Sequence, residues 1–337
     1  MAPSPAPEPI RRRPPTYPPP EFPPRRLPVF ARVPPAIFPV LLGLLGLAGA
    51  MRLGFERLGL PLAAADLVAG LVLGLWAFGI FGYLVKLCRR PGVILEDMRV
   101  MPGRAALAAG TGSVMTAAVV LGPFAPGAAL ALLWTGLVLH FLLAVLAVAV
   151  LADLPREARG VNPGWHILFT GFILGAPPAA LLGQEALARG LIWATIPVAL
   201  AIWGASLAQL LRGAPPAPLR PMLAIHLAPA CLFATAAALT GQVHLEAGFA
   251  TMAIVIALAL ASAARWICAA GITPLWGAFS FPIAALATAL LRQTGGLASL
   301  GMGVLGVALI AVPWIAWLVL KDWPSGRLAA KTNAATA

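Results

Sequence analysis

A proton relay, a metal centre or a nucleophile with its base would each need acidic, histidine or cysteine side chains brought together. The eleven acidic residues are Glu8, Glu21, Glu56, Asp66, Glu96, Asp97, Asp153, Glu157, Glu185, Glu246 and Asp322. Each falls in a tail, in a loop or in the first turn of an apolar run. Asp66 reads as the N-terminal cap of its helix. Three histidines lie within or near apolar runs. His140 sits among bulky side chains, where a neighbouring helix is expected to satisfy it. His166 is expected near an interface, and His226 could face a lumen. No histidine pair has ligand spacing, and Cys88, Cys231 and Cys268 share no metal or redox spacing. The residues therefore suggest no catalytic site, no metal, no cofactor, no carboxylate relay and no central salt bridge.

The elements that carry these residues are membrane spans. The 337-residue chain is 61% hydrophobic and only 10% charged, against about 25% charged in a soluble domain. Apolar runs near 36–55, 64–88, 105–122, 127–151, 163–183, 188–211, 219–242, 248–270, 274–292 and 298–320 predict ten transmembrane helices in an all-α integral membrane fold. The odd-numbered runs recur at a spacing that suggests five helical hairpins. Small residues fill 12 of 18 positions in 105–122 but only 9 of 25 in 127–151. Small residues let helices approach closely, so the odd helices are placed inside and the even ones outside. Prolines in the odd runs, Pro39, Pro177, Pro178, Pro229 and Pro282, are expected to kink them and free backbone groups.

The net charge of +12 follows membrane topology and not a nucleic-acid groove. With the N-terminus cytoplasmic, the outer loops hold only Arg52, Arg57, Arg189 and Arg292 of the 23 Lys and Arg residues. That positive-inside bias puts both termini on the cytoplasmic side. Residues 1–35 form a Pro- and Arg-rich tail, 36–321 the membrane domain and 322–337 a short cytoplasmic tail. The Pro/Arg tail is read as solvated and close to anionic lipid. An inner wall of small neutral residues, with positive charge at one end, suits anions crossing with the help of helix N-terminal dipoles.

Several stretches resemble the tellurite-resistance/C4-dicarboxylate transporter family, which includes bacterial TehA proteins, yeast malate permease and plant guard-cell slow anion channels. They are Phe279-Ser280-Phe281-Pro282 at the start of the ninth span, His226-Leu-Ala-Pro-Ala230 in the seventh, and Asn162-Pro163 before the fifth. The likeness covers about residues 34–321. It implies five inner helices around a pore in each protomer, homotrimers, and a multi-pass protein of a bacterial inner membrane. It also implies that Phe281 plugs the pore, that Pro282 aims it, and that Phe279, Ser280 and the prolines belong to the wall. Small anions, dicarboxylates or tellurite-like oxyanions are the implied cargo. The sequence departs from the family at Pro39, where relatives carry a glycine, and at Trp276-Gly277, where they carry tandem aromatics. Three readings follow: a passive gated anion channel, a proton-coupled carrier of dicarboxylates or oxyanions, or a membrane scaffold with an occluded lumen. The missing buried carboxylates favour the first.

Overall fold

The computed structural model describes residues 27–337, so most of the expected Pro/Arg tail lies outside the described residues. Nine described helices are long and apolar enough to cross a membrane: Pro35–Leu58, Ala63–Arg89, Met101–Leu121, Pro126–Asp153, Glu185–Arg212, Ala217–Leu239, Val243–Ser262, Pro274–Leu291 and Gly295–Leu320. A shorter apolar segment, His166–Leu181, follows the fourth of them. In chain order these ten are called spans one to ten.

Each odd span packs against the even span that follows it, which makes five hairpins. The turns inside the hairpins are short. Gly59, Gly183 and Gly241 all have left-handed φ, and the next amide reaches back to a carbonyl five residues earlier, as in Gln184 N to Ala179 O at 2.7 Å and Gln242 N to Ala237 O at 2.9 Å. This closure ends a helix in the least chain length, and glycine adopts it without steric cost.

Burial separates the two sets. Of the most apolar window in spans one, three, seven and nine, 56% to 83% is buried, against 11% to 39% in the even spans. Span one packs on three, three on five, five on seven, seven on nine, and nine returns to one. The exposed positions of the even spans carry Leu71, Phe141, Leu200, Leu258 and Trp317, side chains suited to lipid.

The structure corrects several expectations. Span five is no regular twenty-residue helix: it runs as a π turn at His166–Thr170, a 3-10 turn at Gly171–Gly175 and an α-helix at Ala176–Leu181. Pro177 and Pro178 remove two consecutive donors, so an α ladder cannot pass unbroken through this point. Span eight stops at Ser262, not near 270, and a separate turn follows at Ala264–Ile267. Pro39 makes no kink, because it occupies the first turn of its helix, where a missing N–H leaves no bond unmade. Asp66 caps nothing: its carboxylate accepts a hydrogen bond from Arg52, which also pairs with Glu56 at 3.3 Å.

Asp97 is also more than a loop carboxylate. It lies on the short helix Val93–Arg99 and is buried, facing Lys86, which is fully buried. Lys86 Nζ donates to Asp97 Oδ2 and to Val33 O, each at 3.0 Å, and Tyr83 donates to the same Oδ2 at 3.1 Å. A buried ion pair thus stands at the end of span two, where the sequence suggested none.

The 322–337 segment is folded. Asp322 accepts from Arg327 at 3.0 Å and from Lys331 at 2.5 Å, and a helix forms at Arg327–Lys331 with Leu328 and Ala329 buried. The bonds from Lys331, with the charge of both cations, hold the Asp322 carboxyl below its ordinary range, so the clasp is charged at neutral pH.

Candidate functional site

A cavity of about 600 Å³ opens among the odd spans. Pro39 and Leu42 of span one line it, with Ala106 and Ala109 of span three, Ile167 of span five, Met222 and Ala228 of span seven, and Ala278, Phe281 and Pro282 of span nine. All five odd spans contribute to this wall and no even span does. The lining starts at the N-terminal ends of these spans. It stops at Leu42, Ala109 and Pro282, about 10–12 Å along their helices at 1.5 Å per residue, and at Ala228, roughly 20 Å along span seven, whose first ten residues are a 3-10 helix rising about 2 Å each. Phe281 belongs to this innermost layer.

The position of Phe281 is fixed by a close approach of spans one and nine. A Cβ on Gly43 would stand 2.4 Å from Ser280 Cβ and 2.9 Å from the Phe281 backbone nitrogen. One turn on, a Cβ on Gly46 would stand 3.0 Å from Cδ2 of the Phe281 ring. Span one therefore offers the ring a bare backbone surface. Ser280 is fully buried, and its hydroxyl lies 2.7 Å from Gly277 O and 3.0 Å from Pro39 O, linking the two spans. Pro282 sits inside its helix and cannot donate to Ala278 O, which leaves that carbonyl free at the cavity wall. Gly43→Ala is expected to destabilise the protein by about 1–3 kcal/mol through overpacking. Gly49→Ala, whose nearest contact would be an ordinary 3.8 Å, is the neutral comparison in a thermal unfolding series.

The mouth of the cavity is a collar of prolines. Pro35, Pro102, Pro218 and Pro274 each stand at the first or second residue of an odd span, and all four line the cavity. None of these four helix starts has a side-chain cap. Their N-terminal dipole ends are thus gathered at one opening, an arrangement favourable to negative charge. The preference of proline for first helical positions is the sequence signal for this collar.

The remaining expected residues lie elsewhere. His226 does not line the cavity. Its ring packs edge-to-face on His166 at 5.0 Å, and His166 rests on Trp203 of span six, also at 5.0 Å. His166 is buried there. His140 finds a neighbour as expected, with Nδ1 2.7 Å from the Thr111 hydroxyl of span three, while its Nε2 lies against Gly171 of span five. Phe279 stacks edge-to-face with Trp276 at 5.9 Å, outside the cavity wall. Pro177, Pro178 and Pro229 are also outside it and mark the joints where tighter or wider turns pass into α-helix in spans five and seven. Among the described residues Asp97 is the one carboxylate in the lining, and Lys86, Tyr83 and the Ala335 amide occupy its oxygens.

Residues 32–321 match the SLAC1 family, described as voltage-dependent anion channel. The chain belongs to this family. A comparison with curated protein sequences returns no match. The family assignment makes the protein a multi-pass membrane protein of an anion-transporting class, and it covers all ten spans. It also agrees with a cavity whose only carboxylate among the described residues is paired with a lysine.

Proposed function

We propose that this chain is a passive, gated conduit for small anions, with the cavity as one half of the path and Phe281 as the plug at its inner end. The observation that carries this reading is the shared wall: five odd spans surround one apolar space, and the lining ends at the layer holding Phe281. The wall is suited to anions in three respects. Among the described residues it has no acidic ring to collect cations. Four uncapped helix N-termini face its mouth. Its interior is made largely of small or apolar side chains that bind an anion weakly enough to release it.

The family resemblance extends the proposal to homotrimers in a bacterial inner membrane, one conduit per protomer. The concentration of basic residues in the termini and alternate loops supports cytoplasmic ends. Chloride, nitrate, dicarboxylates and tellurite-like oxyanions are the candidate cargo, and the width at Phe281 would sort them.

Flux through proteoliposomes loaded with chloride, nitrate or malate tests the reading. A passive conduit is expected to carry anions down their own gradient at a rate that survives collapse of the pH gradient by a protonophore. Flux that disappears with the pH gradient would instead establish a proton-coupled carrier. No flux in the wild type or in any Phe281 variant would end the conduit reading.

A further inference from the structure

The segment after span ten does more than end the chain. From the Asp322 clasp and the helix Arg327–Lys331 it runs across the mouth of the cavity, and Lys331, Thr332, Asn333 and Ala334 form part of the cavity wall. Two bonds fix its far part. Ala335 N donates to Asp97 Oδ1 at 2.8 Å, and Ala337 N donates to Ala31 O at 3.0 Å. Asn333, between the helix and these two bonds, makes the bend possible by taking a left-handed φ of 48°, a conformation asparagine tolerates better than most residues.

The two parts are held unequally. The base has buried Leu328 and Ala329 and two ion pairs to Asp322. The stretch that covers the opening, Thr332–Ala337, consists of small and polar residues and crosses on backbone hydrogen bonds. Its contact with Asp97 is specific. Lys86 and Tyr83 both use Oδ2, while Oδ1 accepts from Ala335. The carboxylate thus serves as an anchor already fixed in place before the strap arrives, and the strap hides an acidic oxygen at an opening otherwise favourable to anions.

We propose that Arg327–Ala337 is an autoinhibitory strap, which covers the mouth of the anion conduit while docked on Asp97 and Ala31 and admits anions when displaced. This rests on the cavity being the conduction path, so the experiment separates the two ideas. In a chain with Cys88, Cys231 and Cys268 changed to serine, Ala106→Cys reports access to the cavity through its rate of reaction with a charged thiol reagent. That rate does not depend on conduction. Ending the chain at Gly326 is expected to speed the reaction about tenfold or more, since a locally opened cover limits access in the full chain. An unchanged rate overturns the cover. In the Phe281→Ala background, the same truncation is expected to raise chloride flux several-fold, and equal flux overturns the autoinhibitory role. If Phe281→Ala carries no chloride in either the full or the truncated chain, the conduit reading fails while the thiol rate still decides whether the strap covers the cavity. Should the truncated chain fold poorly, Ala31→Cys with Ala337→Cys locks the intact strap. Flux in the Phe281→Ala background should then be lower oxidised than reduced, and the same flux in both states overturns the proposal.

Discussion

Phe281→Ala is expected to raise anion flux through the reconstituted protein by about ten- to a hundredfold, the change produced by lowering a barrier about 1.4–3 kcal/mol. The ring is the bulkiest group in the innermost layer of the cavity, beside Leu42, Ala109 and Ala228. Its truncation enlarges an existing void instead of opening a new one in a packed core, so the fold should survive. Phe281→Leu keeps much of the volume and should fall between wild type and alanine. The order alanine, leucine, phenylalanine in falling flux marks a plug. Equal flux in all three would make the ring a piece of packing.

The second large effect concerns stability. Asp97→Ala is expected to cost about 3–5 kcal/mol, because it leaves the fully buried Lys86 ammonium without its counter-ion. Lys86→Met should be costly as well, though Tyr83 and the Ala335 amide still serve the carboxylate. The combination Lys86→Met with Asp97→Leu removes both charges and should recover most of the loss, since apolar replacement of a buried pair is often close to neutral. Thermal unfolding of the wild type, Asp97→Leu, Lys86→Met and the double variant in one detergent measures this cycle. A double variant as unstable as the sum of the singles would show that the two charges do not act as a pair.

The ten apolar segments were legible because lipid demands long uninterrupted runs, and the small-residue texture of 105–122 correctly anticipated a buried helix. The Phe279–Pro282 string also led to the cavity wall. Other features were hidden for physical reasons. Asp97 stands in a polar loop sequence, and only the return of the chain onto Lys86 buries it. His226 lies one residue from Ile225, which lines the cavity, and one residue on the 3-10 helix they share turns a side chain away by about 120°. The fifth span looked continuous in hydropathy, although Pro177 and Pro178 break its hydrogen-bond pattern. The strap was invisible because Lys331–Ala337 has no pattern of its own, and its place is set by partners far away in the chain.

The hairpin turns have a mechanical consequence. Within the hairpins only three or four residues separate one helix from the next. Between hairpins the connections at 90–100, 154–165 and 263–273 are much longer, and the fourth, 213–216, is as short as a hairpin turn. The first, second and fifth hairpins are therefore levers pinned at their short-turn tips and free at the other end, while the third and fourth are joined there. With Phe281 near mid-length, moving the wall by a given distance at the ring needs roughly twice that travel at the free ends of straight helices. The C-terminal segment ties Ala31, just before the first lever, to Asp97, just before the second, and to the end of the last. It fastens these levers where they have the greatest travel, so a few hydrogen bonds there restrain widening at a ring they never touch.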